Sequence, residues 1–575
     1  MPQDKPTLLL ECIQHVLSFL RFNQLQTLYS LLTVNKAMFH LTLPILYLNP
    51  FVLVYDHRRW SEQDKTRRLS LLIKLFLNEV DPSTLAALPP CISQEDDDDD
   101  DDNDDAGLSD VDFADGLNRR PRQTEQVRGY LYHYRRHDHS FLAEGAIQRC
   151  FGTTTRRQAQ TILAQLDLIF LAHCGPRLLS LCLAAPRTAS FKEAIPSLGC
   201  LRRLEIQHIE DITETTLEEL VAWIRKHDNM HGTLRELQLG GSTMTDGNYE
   251  QGHFSHLVQL PQAVRTLSTL DTRSWREAWS MVDEIPVENL SRLVMDYGEG
   301  EPPKAGYGFL FRCKELKVLD LYVAAPDTFV GLSNAYRARH HVGLVSPIDH
   351  SETTLERESA TIMDANLCPP PVERLYLSGH HTNLRNALED AAVGLSQTLR
   401  ILKATSMTRH KVTVPSLTWG RPLLDIQMPF LQELQLQGDI ALEFHFSLLR
   451  CCPQLQSLKL LVNGLESCEQ EGNPLEEILT LHGLQTLQLL GRWPLTMTFI
   501  RGIVSNLTGL KMLDLARCYG VDLDSVMQEV HTMDHLWRLG WFMGDVEDAD
   551  KLVARWQERA PRIRIGDIHW NEFYS

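Results

Sequence analysis

Leu448-Leu449-Arg450-Cys451-Cys452-Pro453-Gln454-Leu455-Gln456-Ser457-Leu458-Lys459-Leu460 carries the end of a helix and the start of a strand in one short run. Proline cannot continue a helix, so Pro453 ends one. Leu455, Leu458 and Leu460 then follow an L-x-x-L-x-L spacing, in which the leucines turn inward and the intervening residues project from the other face.

The same spacing recurs on either side. Units start at Leu431, Leu455, Leu484, Leu510 and Leu536, at intervals of 24, 29, 26 and 26 residues, and Ile563-Arg564-Ile565 falls one period later. Upstream stand Leu201-Arg202-Arg203-Leu204-Glu205-Ile206, Leu234-Arg235-Glu236-Leu237-Gln238-Leu239, Leu316-Lys317-Val318-Leu319-Asp320-Leu321 and Val372-Glu373-Arg374-Leu375-Tyr376-Leu377. A period of roughly 20 to 29 residues is what one short strand and one helix require, and such a unit cannot bury its apolar face alone. The spacing therefore predicts an α/β fold: a curved leucine-rich-repeat solenoid of short parallel strands and helices over 161–575. The wider gaps, Leu234 to Leu290 and Leu316 to Val372, predict degenerate units or inserted loops, with 333–371 as one such loop.

Composition bounds the function. Apolar residues make up 43% of the 575 and charged residues 23%, as in folded proteins. Much of the net charge of −19 comes from 95–105, with seven consecutive aspartates at 96–102. No basic stripe interleaved with aromatics stands out, so no nucleic acid partner is expected. The twelve cysteines form no C-x-x-C pairs and read as reduced core residues. The apolar stretch Leu8 to Leu20 is interrupted and too short to span a bilayer, so no membrane association or secretion is expected. Asn289-Leu290-Ser291 and Asn506-Leu507-Thr508 then read as chance sequons, and the expected location is the cytoplasm, the nucleus or both.

Ahead of the repeats four zones separate. Residues 1–50 are apolar with helical spacing. Over 51–91 a helical linker places Leu69, Leu72, Ile73, Phe76 and Leu77 on one face and Arg67, Arg68, Lys74 and Asn78 on the other. The acidic stretch 92–126 reads as a disordered insertion, and 127–160 as a helical lead-in.

In the first zone Leu9, Ile13, Val16, Leu17 and Leu20 share one helical face. A second helix follows with Leu28, Leu31, Leu32, Val34 and Met38, and Leu43-Pro44-Ile45-Leu46-Tyr47-Leu48-Asn49-Pro50 closes the pattern. The segment resembles the fungal form of the F-box, departing from it at Leu10, where that family has proline, and at Met38, where it commonly has an aromatic. The Cys-Pro join before Leu455 likewise resembles the long repeats of F-box leucine-rich-repeat proteins, with His173-Cys174-Gly175-Pro176 and Arg312-Cys313 as weaker versions. The resemblance implies the substrate-recognition subunit of an SCF-type ubiquitin ligase. Its F-box would dock a Skp-type adaptor, and through it a cullin-RING ligase, by Leu9, Ile13, Val16, Leu17, Leu20, Leu28, Leu31 and Val34. The repeats would hold an unknown protein substrate. Two other readings stay open: a repeat scaffold with no ligase role, its first residues merely capping the solenoid, and a repeat protein that regulates an enzyme such as a GTPase.

The strand phase gives the expected target-binding residues on the concave face: Glu205 and Gln207, Gln238, Asp320 and Tyr322, Tyr376 and Ser378, Gln435 and Gln437, Lys459, Gln488 and Asp514. No phosphate loop, nucleophile elbow or H-E-x-x-H zinc helix occurs, so no catalysis and no cofactor are expected. His227 and His231, four apart, are a potential metal pair, but Asn229 and Gly232 favour a surface turn at a helix end.

Overall fold

The computed structural model describes residues 61–77, 88, 136–138, 144–153, 155–184, 194–207, 209, 212–240, 257–272, 278, 282–296, 309–322, 328–340, 368–406, 423, 425–462, 474–542 and 549–567. The eight docking residues expected between Leu9 and Val34, and the acidic run, lie outside them. The chain divides into two compact units, Met1–Gly252 with Gln262–Thr266, and His253–Pro261 with Leu267–Ser575.

In the first unit the strands β1 (Arg136–Asp138), β2 (Ser180–Ala184), β3 (Arg203–Gln207) and β4 (Glu236–Leu239) pair in parallel and in chain order. β1 falls within 127–160, ahead of the helices Glu144–Phe151 and Arg156–Cys174, so this stretch is not purely a helical lead-in. The helix Glu62–Leu77 buries Leu69, Leu72, Ile73, Phe76 and Leu77, the face expected from its spacing. Phe76 meets Phe170 edge to face, ring centroids 5.8 Å apart. The crossover from β3 to β4 is the helix Glu214–His231. Thr213 Oγ1 accepts from Thr216 N at its start, and Gly232, in the left-handed region at φ 57°, ends it.

The second unit runs β5 (Thr269–Thr272), β6 (Arg292–Asp296), β7 (Val318–Tyr322), β8 (Arg374–Gly379), β9 (Ile401–Ser406), β10 (Glu433–Gln437), β11 (Ser457–Leu461), β12 (Thr486–Leu490), β13 (Met512–Asp514), β14 (Arg538–Trp541) and β15 (Arg564–Asp567). Each is parallel to the next, in chain order. The register aligns Leu402, Leu434, Leu458, Leu487, Leu513 and Leu539 in one row, every one buried. That row is the core, and it forms only because neighbouring units stack.

The two gaps have different explanations. Between Leu234 and Leu290 lies a degenerate unit, β5, where Thr272 stands in the place of the last leucine, fully buried, its Oγ1 donating to Val294 O at 3.2 Å. Between Leu316 and Val372 the chain makes an insertion that includes the helix Val330–His340, and β7 pairs directly with β8. Strand β9 ends its pattern on Ala404 instead of leucine, which hid it from the leucine spacing.

The joins are built alike. The Cys313 thiol donates to Phe309 O at 3.5 Å and the Cys452 thiol to Leu448 O at 3.6 Å, each four residues back in a helical turn. Burial pushes the Cys313 thiol up to about 12 and the Cys452 thiol up as well, so both remain protonated and act as small buried donors. The parallel ladders, their period and these joins define a leucine-rich-repeat-like fold.

Candidate functional site

Residues two apart on a strand share a face, so the third and fifth places of L-x-x-L-x-L point the same way, away from the leucines. In the second unit this aligns Asp320, Tyr376, Lys403, Gln435, Lys459, Gln488 and Asp514 in one row across β7–β13. Asp320, Tyr322, Tyr376, Ser378, Gln435, Lys459 and Gln488 are half-buried, as outward strand residues with long neighbours should be.

Two of the expected contact residues are placed differently. Asp514 is 0% exposed: Gln488 Nε2 donates to its Oδ2 at 2.5 Å, and Arg538 Nε lies 3.4 Å from its Oδ1. Its short side chain sits between two longer ones that fold over it, which makes it a support for Gln488 and Arg538 and not a contact residue. Gln437 is also buried, at the end of β10 in register with Leu461. Leu461, Leu490 and Ala516, with Phe542 against them, form a small apolar cluster on this face, so the last position of these strands is closed.

At the centre of the face Glu433 Oε1 lies 3.1 Å from Lys403 Nζ on β9 and 3.1 Å from Lys459 Nζ on β11. Burial alone would raise the Glu433 carboxyl, but the two ammonium groups outweigh it and hold it below the ordinary carboxylate value. Lys403 Nζ also sits 5.7 Å from the centroid of the Tyr376 ring. The charges here are thus matched across three strands, and Gln435 stands between the two lysines in register with both.

The first unit has its own face. Arg203 Nη2 donates to Glu205 Oε2 at 3.0 Å and to Gln238 Oε1 at 2.6 Å, and Gln207 Nε2 donates to Glu205 Oε1 at 2.9 Å. The three residues expected there are brought together, joined by Arg203. The expected set missed Arg203, Glu433 and Arg538, which hold the third place of their units, and Lys403, which holds the fifth place of β9, the strand whose pattern ends on Ala404. For the third-place residues among them, the two-residue period was the signal that could have found them.

His227 is not on a surface turn. It lies within the helix Glu214–His231, fully buried, its Nε2 at 3.0 Å from Leu198 O, while His231 Nε2 is 2.8 Å from Pro196 O. Each imidazole therefore ties the helix to the 195–199 turn. Among the described residues no group of three or more histidine, cysteine, aspartate or glutamate side chains could hold a metal ion. No helix among them is long and apolar enough to cross a membrane.

No family model matches the chain, and no curated protein matches it. Among solved structures it is similar to a chain of the Rad7 and Elc1 complex in yeast, with a TM-score of 0.31 and 14% identity over 70% of this chain and 79% of that one. It is also similar to a chain of the TLR13–ssRNA13 complex, with a TM-score of 0.32 and 14% identity over 75% of this chain and 64% of that one, less than two thirds of that chain's length.

Proposed function

We propose that this chain is a non-catalytic receptor, the substrate-recognition subunit of an SCF-type ubiquitin ligase, working in the cytoplasm, the nucleus or both. The observation that carries the receptor half is the division of each strand. Its leucines are buried in the stack, and its outward residues make a continuous, half-exposed polar row over β7–β12 with an aromatic, two lysines and two amides in register. Mixed polar and aromatic surface on a rigid sheet suits a protein target.

The ligase half rests on the likeness of residues 1–50 to the F-box. A receptor needs no reacting groups of its own, because holding the target beside a separate ubiquitin-conjugating enzyme raises its effective concentration there. Co-purification with a Skp-type adaptor tests this. The wild-type chain is expected to capture the adaptor, and Ile13→Asp with Val16→Asp to abolish capture while the repeats stay folded. Failure of the wild-type chain to capture any such adaptor would leave a repeat scaffold with no ligase role.

A further inference from the structure

We infer that the last two strands, β14 and β15, carry an anchor site for an extended peptide segment of the target, in which Arg564 takes an acidic side chain and Trp537 the apolar residue beside it. This rests on the reading that the sheet face holds a protein, and it names the chemistry of the segment held.

Trp537 stands one residue before β14 and Arg564 opens β15. Their backbones are joined directly, Arg564 N donating to Trp537 O at 2.7 Å. Trp537 is 46% exposed, and Arg564 is exposed as well. Tryptophan is highly buried on average, and tryptophan and arginine are enriched at the energetic centres of protein interfaces.

Elsewhere on this face charge is matched along one diagonal, from the third place of a strand to the fifth place of its neighbour. Glu433 meets Lys403 and Lys459 that way, and Arg538, which opens β14, lies 3.4 Å from Asp514. The same diagonal from Arg564 leads to Gly540, which has no side chain, and β15 is the last of the described strands. Among the described residues no ion pair or hydrogen bond engages the Arg564 side chain. Asp534, in the turn before β14, is held by Arg562 at 3.3 Å.

The floor beside Arg564 is bare. Gly540 and Gly566 pair in register at the fifth place, where the preceding strands carry Lys459, Gln488 and Asp514. A Cβ at Gly566 would meet nothing within 4 Å, so the space above it is open. Glycine inside a strand lets another backbone approach closely. Trp537 and Arg564 stand on neighbouring strands about 4.8 Å apart, a spacing that residues one or two apart on an extended peptide can span at about 3.3 Å each.

The count of free groups selects a peptide. Nucleic acid is held by several cations along its backbone, and here Arg538 is matched by Asp514 while Lys511 Nζ donates to Gln485 Oε1 at 2.9 Å. One unmatched cation beside one open aromatic ring fits one acidic residue next to an apolar one. The charge of −19 on the whole chain also opposes a polyanion.

The test is fluorescence anisotropy on the full chain with three labelled probes: a short peptide holding glutamate beside leucine, the same peptide with glutamine for glutamate, and a single-stranded oligonucleotide of equal length. The acidic peptide is expected to bind, more weakly as salt rises, and the glutamine peptide to bind less well. Arg564→Ala and Trp537→Ala are each expected to lower the affinity by about fivefold or more. Gly566→Leu, which fills the open floor without meeting the chain itself, is expected to block binding. Arg501→Gln, whose partner is Glu529 on another unit, leaves binding unchanged. Circular dichroism checks that each variant folds, and if Trp537→Ala does not, the exposed and unpaired Arg564 decides through Arg564→Gln. No binding of the acidic peptide, equal binding of the two peptides, unchanged binding by a folded Arg564 or Gly566 variant, or tighter binding of the oligonucleotide each overturns the inference. A chain that captures the adaptor yet ignores the acidic peptide loses this inference alone. One that binds the peptide but captures no adaptor loses the ligase reading alone.

Discussion

Gln435 and Leu436 are consecutive on β10 and face opposite ways: Leu436 is fully buried in register with Ala404 and Leu460, while Gln435 is half-exposed between Lys403 and Lys459. Leu436→Asp puts an unpaired charge into the stacked core and is expected to cost about 3–5 kcal/mol, loosening the units on both sides. Gln435→Asp gains two lysine neighbours and is expected to be neutral or slightly stabilising. Urea unfolding of the two variants checks the pair, and equal tolerance at both sites would contradict the strand phase.

Glu433 joins three strands by charge. Its carboxyl is held below the ordinary value of 4.5, so its contribution is fully present above that pH and is lost as pH falls through the lowered folded value. A double-mutant cycle of Glu433→Gln with Lys459→Met is expected to give a coupling of about 1 kcal/mol or less at neutral pH, because the groups are partly exposed. The coupling should vanish in acid. A coupling that is the same at neutral and strongly acidic pH would contradict the ion pair.

His227 acts in the same direction at higher pH. Burial lowers its pKa from 6.5 against the raising effect of the Leu198 carbonyl, so the folded chain resists protonation that the unfolded chain accepts. The stability linked to this group is complete above about 6.5 and declines as pH falls from there toward the folded value. Unfolding midpoints measured between neutral pH and about pH 5 should drop more steeply for the wild-type chain than for His227→Gln. Parallel pH profiles would show that another group controls this range.

Gly491 follows β12 with φ 114°, a left-handed conformation, and a side chain there would place Cβ 2.8 Å from Val462 Cβ and 2.9 Å from Val462 O. Gly491→Ala combines backbone strain with a clash against the neighbouring unit, and is expected to lower stability by about 1–3 kcal/mol. Thermal unfolding measures it, and a midpoint equal to wild type would mean that this turn relaxes without loss.

Much of the architecture was legible because repeated units obey one local rule. The leucines of the units from Leu431 to Leu536 lie in the core in the phase their spacing predicts, and the apolar face of the helix Glu62–Leu77 is buried as its period requires. Strands whose last leucine is replaced, β5 with Thr272 and β9 with Ala404, escaped that rule, because the register of their neighbours decides their pairing more than their own composition.

The sequence by itself determined which way each strand faces and how often units recur, since both depend on residues within one unit. Only the tertiary structure decided which outward residues remain accessible. Asp514 is covered by Gln488 and Arg538, and Glu433, Lys403 and Lys459, far apart along the chain, meet across three strands. The physical reason is that exposure and charge balance on a sheet are set by side chains on neighbouring strands, and those neighbours are fixed by stacking and not by distance along the chain.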